Sequence, residues 1–245
     1  MTPPFIGYVV HPLDRNTANA NVSVAATDAR ERLRGVLDDW RREHGQTRLP
    51  IDVERLAAAR GVQPATDLDD PQALARRRFA LAHALARTAL PGAEEEQLCD
   101  WGASVLLMPD ELTWSYRADQ GLRAVERLAR DAKVSLEAAG LRLVERGGRP
   151  AAFLVADRTE EGLRVRYARV LDAGPPIPRG APIPPGSVLA RAAASGRRER
   201  AAEPLPGGGE QPFHVEAKSY PLGRAGGTRE RVLALAWPQR SAAGE

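Results

Sequence analysis

The residues best placed to do chemistry lie between positions 76 and 109. Residues 76–90 read Arg-Arg-Arg-Phe-Ala-Leu-Ala-His-Ala-Leu-Ala-Arg-Thr-Ala-Leu. On a helix, His83 and Arg87 are four residues apart and project from one face. Two histidines at that spacing can share a Zn²⁺, and a glutamate beside the first can take a proton from the metal-bound water. Here Ala84 stands at the base position and Arg87 at the second ligand position. An alanine cannot accept a proton, and a guanidinium has no lone pair to give and repels a cation. His83 alone is a helix histidine that a neighbour can satisfy. Downstream runs Glu96-Gln-Leu-Cys-Asp-Trp-Gly-Ala-Ser-Val-Leu-Leu-Met-Pro109. Its Cys99 is the chain's one cysteine, which excludes an intrachain disulfide. It can offer a thiolate, although a lone cysteine in an apolar helix is more often a small buried hydrophobe.

Together the two segments resemble the paired active-site helices of the ImmA/IrrE zinc peptidases, whose first helix carries His-Glu-x-x-His. The resemblance implies that His83 occupies the first ligand position and Glu96 the position of the third ligand. It fails at Ala84 and Arg87. His83 and Glu96 are therefore expected as remnant metal positions left unoccupied, with no catalytic residue and no cofactor. Two protein ligands are too few for a tight zinc site. The substitution pattern suggests that Arg87 places its charge near the old metal point and pairs with Glu96, tying the helices together in place of zinc.

Helical periodicity supplies the frame for these residues. Ala29, Leu33, Val36, Leu37 and Trp40 predict a helix over 28–44, with Asp28 and Glu31 at capping-box spacing. A second helix is expected over 51–60, closed by Gly61. Asp70-Pro71 opens the motif helix, and Pro91-Gly92 stops it. Glu94, Glu95 and Glu96 suit the start of the next helix through its dipole, and Pro109 ends it. A short helix follows over 110–116. Residues 122–146 read as a helix-turn-helix, with Ser135 as the second cap. The positions before Leu122 form the close of a helical unit over 28–120, and residues 1–27 an arm.

Past Gly147-Gly148 the pattern changes. Ala151–Ala156, Leu163–Leu171, Phe213–Tyr220 and Val232–Trp237 read as strands, and Ser187–Ser195 as a short helix. The expected class is α+β: a mostly helical zincin-like part, a helix-turn-helix-like unit over 121–149, and an α+β unit over 150–240. The resemblance extends over this order. It implies the radiation-response regulators of the family, with a GAF-like sensor at the C-terminus whose closest parallels are Ser195-Gly196 and Val215–Pro221. Family members also carry a small sheet before the motif helix. Here only Val62 to about Asp69 is available, and it contains Pro64.

Composition narrows the classes. The chain has 245 residues and a formal net charge of +3, too small a surplus to imply nucleic acid by itself. No apolar run approaches the roughly 20 residues of a membrane span, and no leader pattern is seen, so a cytoplasmic protein without membrane partners is expected.

The expected function is a regulatory pseudopeptidase in a stress or DNA-damage response. It would bind a repressor-like protein or a sister peptidase without cutting it, and a small ligand in its C-terminal unit. A first alternative is a residual zinc metallopeptidase that cleaves a repressor, with Glu94 or Glu95 as base and Cys99 or His44 completing the metal shell. A second is a DNA-binding regulator. In that reading Arg123, Arg127, Arg130, Lys133 and Arg142 contact a partner or nucleic acid, with weak DNA affinity, although interleaved acids make a solvated face the plainer reading.

Overall fold

A computed structural model describes residues 24–63, 71–90, 95–146, 150–172, 174–207, 212–221 and 230–238. Within them the chain is α+β, with eight α-helices and one five-stranded antiparallel sheet. Most of the expected arm, the stretch 64–70 that would shorten the family's sheet, and Glu94 lie outside these residues.

The helical part opens with α1 (Val24–Glu43). It begins before Asp28, so the expected cap is corrected: Asp28 and Glu31 lie inside the helix, and residues 24–27 belong to it rather than to an arm. Its Leu33 and Leu37 are buried. Helix α2 (Val53–Ala59) starts at Asp52, whose side chain accepts from the Arg55 N–H at 3.0 Å. Helices α3 (Pro71–Ala89) and α4 (Glu96–Leu107) form the closest helix pair. Gly102 permits this: a Cβ there would meet the Leu33 side chain at 2.7 Å and the Ala86 Cβ at 2.8 Å. The short α5 (Asp110–Thr113) follows Pro109.

Next come α6 (Leu122–Ala132) and α7 (Leu136–Glu145), the latter capped by Ser135 as its sequence predicts. The sheet contains β1 (Ala151–Thr159), β2 (Gly162–Leu171), β3 (Glu199–Pro204), β4 (Pro212–Pro221) and β5 (Glu230–Pro238), in the order β2-β1-β5-β4-β3. Helix α8 (Val188–Ser195) joins β2 to β3 and packs on β4 and β5. The sequence reading missed β3. Its Glu-Arg-Ala-Ala-Glu-Pro run has no large apolar residue, and it sits at an edge, where charged residues are common.

The two faces of the sheet bury different cores. Ala152, Leu154 and Ala156 of β1 face α8 with Val188, Leu189 and Ala192. The alternate residues Phe153 and Val155, with Leu233, Leu235 and Trp237 of β5, join Leu122, Val125, Leu128 and Leu143 and the buried residues of α1–α4. One apolar core thus runs from α1 through α7 to the sheet. Among the described residues no helix is long and apolar enough to cross a membrane.

Candidate functional site

The pairing of α3 with α4 sets His83 opposite two carboxylates. His83 Nε2 lies 3.1 Å from Glu96 Oε1 and 3.6 Å from Asp100 Oδ1. Glu96 and Asp100 are one helical turn apart and share a face of α4. Ligand atoms of the three residues lie within 4.8 Å of one another. His83 Nε2 is itself buried, and despite its short distance to Glu96 it makes no hydrogen bond of acceptable direction. The site deepens inward: the Glu96 side chain is 66% exposed, Asp100 28% and His83 17%.

Arg87 reaches the same carboxylate from the other side, with Nη2 2.6 Å from Glu96 Oε2. Arg87 thus holds the outer oxygen of Glu96 and leaves Oε1 turned toward His83. Cys99 is buried beneath. Burial pushes its thiol up, against the pull of the nearby Arg87 charge. Cys99 and Arg87 do not join the three-donor group, and an uncharged buried thiol is a poor nucleophile and ligand.

Asp100 is the member that sequence reasoning missed. The signal was its i,i+4 spacing from Glu96, which puts two carboxylates on one helical face. With it, the donors present suit a divalent cation: one imidazole and two carboxylates. They do not suit hydrolysis at that cation. Ala84 offers no base at the position between His83 and Arg87, and Arg87 adds positive charge beside the donors.

The helix-turn-helix-like pair is arranged differently from its sequence expectation. No residue of α7 is exposed. Gly140 lies against the ring of Phe153, where a Cβ would come within 2.3 Å. Glu137 accepts from the Tyr167 hydroxyl at 2.8 Å and is paired with Arg231. Arg142, expected among the partner or nucleic-acid contacts, is corrected: it is 2% exposed, donating to the Met108 carbonyl at 3.0 Å and to Asp110 at 2.7 Å. An arginine so enclosed cannot reach a phosphate. The other four candidates lie outward on α6 and its end. Arg123 is exposed, Arg127 covers the ring of Tyr116, Arg130 pairs with Asp131, and Lys133 takes a left-handed conformation at the C-cap.

No family model matches the chain, and no curated protein matches it. A solved structure does. It is described as a Mycobacterium tuberculosis transcriptional regulator and superposes with a TM-score of 0.57 at 16% identity, covering 86% of this chain and 76% of that one. At that identity the likeness is one of fold. It spans the helical part and the sheet together, since either alone would leave much more of the chain uncovered.

Two polar clusters join those parts. Glu126 of α6 accepts from Arg198 at 2.6 Å, from the Tyr220 hydroxyl at 2.8 Å and from Lys218 at 3.1 Å. Burial alone would raise its carboxyl, but these donors hold it below the ordinary range. Buried Glu216 of β4 accepts from the Leu122 N–H at 3.2 Å and from Arg198 at 2.8 Å, so the sheet caps the start of α6. Gly121, at φ +71°, gives the room: a Cβ there would fall 2.2 Å from Glu216. In the second cluster Arg231 bridges Glu137 of α7 and Asp157 of β1.

Proposed function

We propose that this chain is a regulatory protein built on a degenerate ImmA/IrrE-like peptidase scaffold, and that it acts by binding a protein partner without cutting it. One observation carries the reading. Arg87, at the position of the second zinc ligand, is engaged with Glu96, at the position of the third, and Ala84 replaces the base. The fold-level likeness to a transcriptional regulator supports a regulatory role. The sheet with its single crossing helix suits a GAF-like sensor, and a repressor-like protein or sister peptidase suits as partner.

The residual peptidase is less well supported. Glu95 precedes α4 as an exposed cap residue, and Cys99 is buried beside Arg87 and stands outside the three-donor group. DNA reading by the second helix of the 122–146 pair is disfavoured because α7 has no exposed residue and its Arg142 is buried. The exposed arginines of α6 leave room only for sequence-independent phosphate contacts.

The test pairs two measurements in cells with and without the chain: transcript profiles, and a proteome-wide map of new protein N-termini. Regulation without cleavage predicts a transcript change that the chain restores, with no new termini that depend on it. Dependent termini would establish a peptidase instead. Unchanged transcripts would remove the regulatory reading.

A further inference from the structure

We infer that Trp114 and the outward arginines of α6 form a docking surface for an acidic segment of a partner protein, one that carries an apolar side chain among its carboxylates. The inference rests on the reading that this chain binds a protein partner, and it names the chemistry by which that partner is recognised.

The first support is Trp114 itself. It is 74% exposed, and among the described residues only Leu74 is another large exposed hydrophobic. The other tryptophans are covered: Trp40 by Arg60, Trp101 by Arg30 and Arg34, and Trp237 by burial in the sheet. The loop that presents Trp114 is fixed. Arg146 donates to the carbonyls of Thr113 and Tyr116 on either side of it, and the Tyr116 hydroxyl donates to Asp131 of α6 at 2.6 Å. A large aromatic side chain on a fixed loop loses little freedom on binding, and such anchors dominate interface energies.

The second support is charge. In the sequence, acids interleave with the arginines of α6, but the structure turns the acids away. Glu126 faces the sheet and is held by Arg198, Lys218 and Tyr220. Asp131 is tied to Tyr116 and Arg130. Arg123, Arg127 and Arg130 recur at i, i+4 and i+7 and are all exposed, so they share the outward face. The Arg127 guanidinium lies 5.1 Å from the centre of the Tyr116 ring, which brings this face up to the Trp114 loop. Exposed Arg117 stands three residues past Trp114. The acids before Trp114 are engaged as well, Asp110 with Arg142 and Glu111 with buried Arg41.

An apolar anchor beside a net positive face selects its occupant. A second copy of the chain would set this face against itself, like charge on like charge. A nucleic acid draws its affinity from many cations on phosphates. Here Arg117 and Arg130 already meet carboxylates, and Arg127 lies over a ring. An acidic peptide segment needs only a few charges together with the anchor.

The experiment pans a random-peptide library displayed on phage against the full chain. The enriched peptides are then measured by fluorescence anisotropy with wild type, Trp114→Ala and Arg123→Glu, and with a single-stranded oligonucleotide as competitor. Enrichment of acidic peptides with an aromatic or aliphatic residue is expected. Trp114→Ala should weaken their binding about tenfold or more, and Arg123→Glu should weaken it and lower its salt dependence. Both residues are exposed, so unchanged thermal midpoints separate a lost contact from a lost fold. No enrichment, peptides without acidic residues, equal binding by Trp114→Ala, or tighter binding of the oligonucleotide would overturn the inference. If it fails while the transcript response persists, this surface alone is removed, because the transcripts and the N-terminal map decide the regulatory reading separately.

Discussion

Two arginines separate what a charge can do on a surface from what it does in a core. Arg87 and Glu96 are both more than half exposed. Solvent and salt screen such a pair, and holding two long side chains together costs entropy. Arg87→Ala should therefore leave the thermal midpoint unchanged, so the pair reaches across the helices without replacing the hold of a metal. A clear drop would show that the pair is more than a surface contact. Arg142 is the opposite case. Burial pulls its guanidinium down, yet it satisfies the Met108 carbonyl and Asp110 from inside the core. Arg142→Ala would take the side-chain donor from the Met108 carbonyl and leave Asp110 with Arg34 at 3.5 Å, and leaving a buried polar group unsatisfied costs about 1–3 kcal/mol. Equilibrium urea unfolding measures this directly, and a loss under 1 kcal/mol, roughly a surface substitution's effect, would be incompatible with the burial described.

Among the elements, α7 depends on close approach. Gly140→Ala gains helix propensity of about 1 kcal/mol. It also drives a methyl into the Phe153 ring, which is fully buried and has nowhere to turn. Overpacking of this kind costs about 1–3 kcal/mol. The expected outcome is net destabilisation and a changed near-ultraviolet signal, whereas a stabilised variant would mean that Phe153 yields freely. The helices themselves were legible from period and caps: Ser135 before α7, Pro109 after α4, Gly61 after α2. Two features were not. The strand β3 hides because its side chains carry no alternation of large apolar residues. The role of α7 hides because its Glu137, Arg142 and Glu145 read as a polar side, and sequence alone does not show that their partners lie in α5 and the sheet. At the site, His83, Arg87 and Glu96 were visible as types at a spacing. Asp100 becomes a partner of His83 only when α3 meets α4, which Gly102 decides through packing.

For the molecule as a whole, the helical part and the sheet are bound by apolar burial and by the two polar clusters. Glu126 carries a testable pH signature. Its carboxyl is held below the unfolded value of about 4.3. A carboxyl depressed in this way contributes its full stabilisation above the unfolded value and loses it as pH falls through the lower folded value. Glu126→Gln should lower stability at neutral pH and flatten the acid limb of a stability-against-pH curve. An unaltered limb would show that the Arg198, Lys218 and Tyr220 contacts carry little energy. The shared core predicts a single unfolding transition by fluorescence and circular dichroism, while two separated transitions would mean that the parts are independent.

The cap that Glu216 places on α6 lies 94 residues after Leu122 in the chain. At translation rates of about 5–20 residues per second, on the order of 5–20 s pass between synthesis of the helix and synthesis of its cap. For that interval the start of α6 lacks the carboxylate that caps it, although β1, with Phe153, follows α7 directly and covers part of the same face. The junction between the helices and the sheet thus closes only after the whole helical part has been made.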